Sequence, residues 1–340
     1  MLPFDHTRAL PGVLAAVGLW LVTTSAAPSL ASPSRAAPLS PFVSADSSAP
    51  ARGLITDHVV VISVDGLRPD AITRFRAGTL QRLIAEGSYT LNAKTIDPSL
   101  TLPSHTSMLT GQEPDTHGVF WNRDETDTHG VVAVPTVFAR ARERGFRTAA
   151  FFSKSKFHHL QVPNTLDHTE APDGDERWNA DRTVGKVERY LEAGHRPNLL
   201  FVHIGEPDYA GHMFSWMSWF YGRAVRKADR AVARVLEAAD GAFGEGNYAV
   251  IVTADHGGHG WTHGSTDRRD ITIPWITWGE GVRTGTELPD GVRTMDTAAT
   301  ALWLLGLDPL GVGRPVQAAF SPAARRPLRS AVHGAAVTAP

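Results

Sequence analysis

Asp255 and His256 stand side by side in the segment AVIVTADHGGHG. The run before them, residues 248–253, is apolar and rich in Val and Ile. That is the pattern of a strand buried on both faces, and Gly257 and Gly258 then require a turn. A carboxylate and an imidazole thus emerge at a strand end, where α/β sheets place ligand sites. Both bind divalent metals. Taken alone, a hydrogen-bonded loop pair accounts for them equally well. Two further strand-like runs end in the same way. Residues 58–64 lead into Asp65 and Gly66, and residues 198–204 lead into EPDYAGH, which holds Asp208 and His212. Asp208 and His212 are four apart, so one helical turn directs both toward a single ion. His259 and His263 lie beyond Asp255. Each of these residues is ordinary by itself, but their recurrence at successive strand ends points to metal.

A second element of chemistry is the segment DPSLTLPSH, residues 97–105, with hydroxyls at Ser99, Thr101 and Ser104. Pro103 marks a helix start, since proline suits the first helical turn. A hydroxyl just before it meets free backbone N–H groups and the positive end of the helix dipole, a site for anions. It is placed to attack phosphorus; a plain helix cap is the alternative. Lys154 and Lys156 follow an expected strand at 148–152 and suit either a substrate anion or a solvated surface.

The chain of 340 residues has a formal net charge of -2 and no cysteine. Disulfides, thiolate nucleophiles and Cys-ligated zinc are therefore excluded, and a metal site must use Asp, Glu and His. The near-neutral balance gives no reason to expect nucleic-acid binding. Helical patterns alternate with the strands. One opens at Pro69 and Asp70, with Ile72, Phe75, Leu80, Leu83 and Ile84 apolar, and closes at Gly87. Others cover 104–109, 137–144, 223–240 and 296–305, and a further strand covers 271–278. This alternation predicts an α/β fold with a mostly parallel central sheet flanked by helices on both faces. The polar stretch 157–195, with His158, His159, Asp173, Asp175, Glu176 and Arg177, reads as a small inserted cap near the site, a solvated surface excursion being the alternative. The expected domain covers 54–320.

Residues 1–31 have the layout of a signal peptide: Arg8, then an apolar run at 13–22, then small residues up to Ala31. This predicts a secreted or periplasmic protein with no stable membrane span after cleavage; an uncleaved anchor is the alternative. Residues 32–53, rich in Ala, Pro and Ser, predict a disordered linker, and 321–340 a flexible tail.

Taken together, VISVDGLRPD, TLPSHTSMLTGQEPDTHGV, EPDYAGH, TADHGGHG and DTAATALWLLGL resemble the alkaline phosphatase superfamily. The closer likeness is to the type I phosphodiesterase/nucleotide pyrophosphatase branch and its phosphonoacetate hydrolase relatives. The resemblance extends from about Val59 to Val316. It implies an alkaline phosphatase-like fold and two divalent metal ions. Zinc is the metal it favours, although N/O donors also suit Mn or Fe. It implies that Asp65, Asp255 and His256 hold one ion, with Thr101 as fourth ligand and nucleophile. Asp208 and His212 would hold the second with His263, His259 being the competitor. Ser104 falls where the diesterase relatives place an asparagine on the phosphoryl oxygen and is an expected substrate-binding residue; Lys154, from its place after the 148–152 strand, is the other. The implied function is hydrolysis of small-molecule phosphodiesters or nucleotide pyrophosphates through a phosphothreonine. Phosphomonoester or phosphonate hydrolysis on the same site is one alternative. A noncatalytic metal-containing ligand-binding protein is another. Sulfatases of the superfamily use a modified Cys or Ser, which disfavours them here. A sugar-phosphate mutase conflicts with the expected export.

Overall fold

The structure is a computed structural model that describes residues 53–174 and 176–321. The expected signal peptide, nearly all of the linker, Asp175 and residues 322–340 lie outside the described residues. The strands are β1 Val59–Val64, β2 Ser88–Lys94, β3 Thr148–Phe151, β4 His168–Glu170, β5 Leu199–Ile204, β6 Ala249–Thr253, β7 Thr272–Gly279 and β8 Thr286–Glu287. The helices are α1 Pro69–Arg74, α2 Gly78–Glu86, α3 Thr101–Thr110, α4 Pro114–His117, α5 Thr126–His129, α6 Val137–Glu143, α7 Ala180–Glu192, α8 Glu206–Phe214, α9 Trp219–Phe243, α10 Arg268–Ile271 and α11 Asp296–Leu304.

The strands form one sheet in the order β4-β3-β5-β1-β6-β7-β2-β8. From β4 to β6 every neighbouring pair is parallel, whereas β7 runs antiparallel to both β6 and β2. Continuous Val, Ile and Leu runs suit strands covered on both faces, and every residue of β1, β5 and β6 is buried. One helix layer joins α3, α6 and α11, and the other joins α2, α7, α8 and α9. The functional consequence lies in the pairing. Because β3, β5, β1 and β6 are adjacent and parallel, their carboxyl ends share one edge, and the residues just after them meet there.

Three stretches depart from the expected layout. The helix expected from Pro69 to Gly87 is two helices, broken where Arg76 takes a left-handed φ of 55°. The break is stabilised from α9: the Asp229 carboxylate accepts from Thr79 N (3.1 Å) and Leu80 N (2.8 Å), at the start of α2. That satisfies free N–H groups of the helix end. The strand β2 lacks a clean apolar run and carries a register shift between Thr90 and Ala93, which hides it from pattern reading. The stretch 157–195, expected as a cap, adds β4 to the sheet edge and α7 to the helix layer against α9. Only its middle part, with Glu176 and Arg177, lines the cavity described below.

Gly66 follows Asp65 with φ +71°, and a Cβ there would lie 2.9 Å from Asp208 Cα. The β1 turn and α8 thus approach backbone to backbone. Gly66→Ala is expected to cost about 1–3 kcal/mol of stability through overpacking and positive-φ strain. Urea unfolding of the purified variant measures it.

Candidate metal centre and active site

The four shared strand ends deliver Asp65 after β1, Lys154 after β3, Asp208 on α8 after β5, and Asp255 with His256 after β6. Asp65, Asp255 and His256 form one cluster whose ligand atoms all lie within 4.8 Å of one another, and Asp208, His256 and His263 form another. His256 Nε2 lies 3.2 Å from Asp255 Oδ2 and 3.5 Å from Asp65 Oδ1. His212 Nε2 is 3.3 Å and His263 Nε2 3.6 Å from Asp208 Oδ1, and the two Nε2 atoms are 3.1 Å apart. Sequence spacing left His259 and His263 open. In the structure His263 joins His212 and Asp208, while His259 Nδ1 is bonded to Asp270 Oδ1 at 2.6 Å.

The hydrogen bonds behind the three histidines determine what their front faces can do. Nδ1 of His256 donates to Gly257 O at 2.8 Å, that of His212 to Trp261 O at 3.0 Å, and that of His263 to Ser99 O at 2.8 Å. With the ring proton on Nδ1, a neutral imidazole turns an Nε2 lone pair forward. Burial, and then neighbouring His256, lowers His263 to about 3, so it stays neutral. In the neutral rings lone pairs therefore face carboxylate oxygens and one another, an opposition that Asp208 eases at His212 by raising that imidazole above its ordinary value. The facing oxygens Asp65 Oδ1, Asp208 Oδ1 and Asp255 Oδ2 are buried without a hydrogen-bond partner among the described residues. Buried acceptors left facing acceptors are costly unless a cation lies between them. The donor set thus fits divalent metal.

Charge leads to the same reading. Three buried carboxylates share one buried ammonium: Lys154 Nζ donates to Asp65 Oδ2 and Asp208 Oδ2, each at 2.7 Å. Burial opposes both charges, but Asp208 and Asp65 hold the Lys154 amine above its ordinary value. Against the same burial, Lys154, followed by the bond from His203, holds the Asp65 carboxyl well below its own. Asp255 has no such relief; burial and then Asp65 push it up to about 7. Protein groups alone leave the cluster short of positive charge.

Thr101 is the first residue of α3; the capping position is Leu100, and no side chain caps the helix. The Thr101 hydroxyl is thus not used as a cap and instead lies 3.2 Å from His256 Nε2. Ser104, expected at the substrate, is fully buried: its Oγ donates to Asp255 O at 2.7 Å and pairs with Thr95 Oγ1 at 2.7 Å. It braces the Asp255 backbone and does not line the cavity described below. Ser99 Oγ donates to Ser265 O. Lys154 is not on a solvated surface, because the two carboxylates draw it in.

Two residues escaped the sequence reading. His203 interrupts the apolar run of β5, which was its only signal. Its Nε2 donates to Asp65 Oδ2 at 2.9 Å and its Nδ1 accepts from Ser153 Oγ at 2.7 Å, which fixes the orientation of Asp65. Asn122 lies in the loop after α4. Its Oδ1 accepts from Leu102 N and Lys156 Nζ, both at 2.9 Å, which fixes the amide beside the start of α3. A cavity of about 560 Å³ opens here, lined by Asn122, Arg123, Lys154, Lys156, Arg177 and Tyr209 among others. Burial, and then Lys154, lowers Lys156 to about 8.

Comparison with known proteins gives the family and the fold. A bis(5'-adenosyl)-triphosphatase of Xenopus laevis is 25% identical over 58% of this chain and 47% of its own length. A GPI ethanolamine phosphate transferase 1 of Aspergillus oryzae is 24% identical over 67% of this chain and 23% of its own. The chain thus spans less than half the length of these curated relatives. Murine ectonucleotide pyrophosphatase/phosphodiesterase 5, in an inactive form with AMP, superposes with a TM-score of 0.68 at 15% identity, covering 78% of this chain and all of the other. Residues 59–267 match the family described as type I phosphodiesterase / nucleotide pyrophosphatase, a span holding every cluster residue above, and the chain belongs to that family.

Proposed function

We propose that this chain is a secreted, two-metal phosphoesterase that cleaves phosphodiesters or nucleotide pyrophosphates through a covalent phosphothreonine at Thr101. The observation that carries this reading is the convergence of three Nε2 lone pairs and three partnerless carboxylate oxygens beside the Thr101 hydroxyl. Asp65, Asp255, His256 and Thr101 would hold one cation, and Asp208, His212 and His263 the other. Imidazole and carboxylate donors without thiolate suit zinc. Bound cations would supply positive charge to the attacking and leaving oxygens. Secretion rests on the layout of residues 1–31; among the described residues no helix is long and apolar enough to cross a membrane.

The chain's own groups fill the other roles. The Thr101 hydroxyl gives up its proton as Oγ bonds to phosphorus, and the leaving group departs with the P–O electron pair and takes up a proton. Water later cleaves the Oγ–P bond, returning a proton to Thr101 Oγ and its hydroxide to phosphorus. At the start of α3 the Leu102 N–H is taken by Asn122 Oδ1 and Pro103 has none, so the phosphoryl oxygens would meet the Thr101 N–H and the positive end of the helix dipole. Asn122, its carbonyl pinned, offers its NH₂ to the same oxygens. Asn122→Ala is expected to lower kcat by about 10²–10³, the usual cost of an oxyanion donor. Steady-state kinetics with a nitrophenyl ester checks this; thermal unfolding measured alongside should show a modest loss of stability, of about 1–3 kcal/mol, because Leu102 N loses its acceptor.

Arg123, Lys156 and Arg177 would meet an anionic part of the substrate in the cavity, which Asp124, Glu176 and Asp208 also line. The Lys156 ammonium is charged below about pH 8 and loses its proton above that. KM for a substrate with a second anionic group should therefore rise between pH 7 and pH 9, and Lys156→Arg should flatten the rise. The adjacent lysines also favour one second reading, hydrolysis of a small carboxylated phosphonate. A panel of nitrophenyl phosphate, a nitrophenyl nucleotide diester and phosphonoacetate tests both. Preference for the diester is expected. Turnover of none of the three would overturn the proposal.

A further inference from the structure

We propose that the corner between α8 and α9 is a docking surface for an anionic lipid bilayer, independent of the substrate reading above. Seven large hydrophobic side chains are exposed among the described residues, and five of them gather here: Met213, Phe214, Trp219, Phe220 and Trp261. The loop carrying Trp261 is tied to this corner, since Trp261 O accepts from His212 Nδ1 and Gly260 O accepts from Trp216 N at 2.7 Å. Trp219 is 61% exposed and Trp261 66%, values that packing within one chain does not explain.

The corner is fixed from within. Trp216 is buried and its Nε1 donates to Gly66 O at 3.0 Å. Its ring fills the space beside Gly211 and Gly258, where a Cβ would come within 2.5 and 2.2 Å. The outer rings stack on one another, Phe214 on Phe220 at 4.4 Å and Trp219 edge-on to Phe220 at 5.0 Å. The aromatic side chains are thus held outward by a rigid wedge.

Charge identifies the partner. Behind the rings lies a cavity of about 440 Å³ whose lining includes Arg223, Arg226, Lys227 and Arg230 and a single carboxylate, Glu206. That carboxylate is held by Lys227 at 3.0 Å, and Arg223 lies over the Trp219 ring at 5.0 Å. An apolar tip of Trp and Phe with arginines set just behind it matches the layering of a bilayer. The rings sit at the boundary of headgroup and acyl chain, and the guanidinium groups meet the phosphates. A second copy of the chain fits less well, because a two-fold contact here would bring the same basic groups of both copies together. Met213 lines this cavity and also the one at the metal cluster, so docking would set the mouth of the site at headgroup level.

The test is cosedimentation of the full chain with vesicles of phosphatidylcholine alone and of phosphatidylcholine mixed with phosphatidylglycerol. Binding to the mixed vesicles is expected, with a blue shift of tryptophan emission and weakening as salt is raised. Trp219→Ser with Phe220→Ser should weaken it by about tenfold or more, while hydrolysis of a soluble nitrophenyl ester and the melting temperature stay unchanged. Arg226→Glu with Arg230→Glu should abolish the preference for the anionic vesicles. Absence of binding, or binding undiminished in the Trp219/Phe220 variant, would overturn the inference. So would sedimentation velocity showing that this variant turns a dimer into a monomer without altering vesicle binding.

Discussion

Thr101→Ala is expected to cut turnover by about 10³-fold or more, the scale seen when a covalent nucleophile is removed. The same change should leave the fold nearly intact. Thr101 does not cap α3, so the loss of about 0.5–2 kcal/mol that follows removal of a cap does not apply. The melting temperature should move by no more than about 2–4 °C, the shift that about 1 kcal/mol brings in a domain of this size class. Metal content should also persist, because the clustered carboxylates and imidazoles are untouched. Thr101→Ser should retain substantial activity: it keeps the hydroxyl and loses only the methyl that restricts χ1. Kinetics, thermal unfolding and metal analysis on the three proteins separate nucleophile from scaffold. Near-wild-type rates in Thr101→Ala would leave a direct attack by water as the better account.

Removal of the divalent cations should be equally severe. Three buried carboxylates would then share the single ammonium of Lys154, and Asp255, already raised to about 7, would gain no compensation. Activity should fall to background in chelator and return on adding zinc. Stability should fall as well. A ligand bound only by the native state at 100 times its Kd contributes about 2.7 kcal/mol, so the chelated protein should melt several degrees lower. Protein prepared without chelator should carry close to two equivalents of metal. Metal content near zero with activity retained in chelator would rule out the scheme.

The sheet and most of the clustered carboxylates and imidazoles were legible in the sequence for one physical reason. Strands buried on both faces are written as unbroken Val, Ile and Leu runs, and the residue where such a run stops is the residue a parallel sheet brings to its functional edge. Asp65, Asp255 and His256 follow directly from that, and the four-residue spacing of Asp208 and His212 follows from the helical turn of α8. What was hidden depends on partners distant in sequence. Ser104 faces inward because the backbone carbonyl of Asp255 lies behind α3. Lys154 is buried because two carboxylates from other strands converge on it. Asn122 is placed by Leu102 N, twenty residues earlier, and by Lys156. The break between α1 and α2 answers to Asp229, on a helix far along the chain. Local periodicity carries none of this information.

The central claim is that the phosphoryl group passes through Thr101. The most direct measurement is rapid-quench peptide mass spectrometry during turnover of a nitrophenyl nucleotide diester. The account predicts a nucleotidyl or phosphoryl adduct on the peptide containing Thr101, appearing within the first turnover and decaying as substrate is exhausted. Turnover with no adduct on that peptide at any quench time, or an adduct on a different residue, would contradict it.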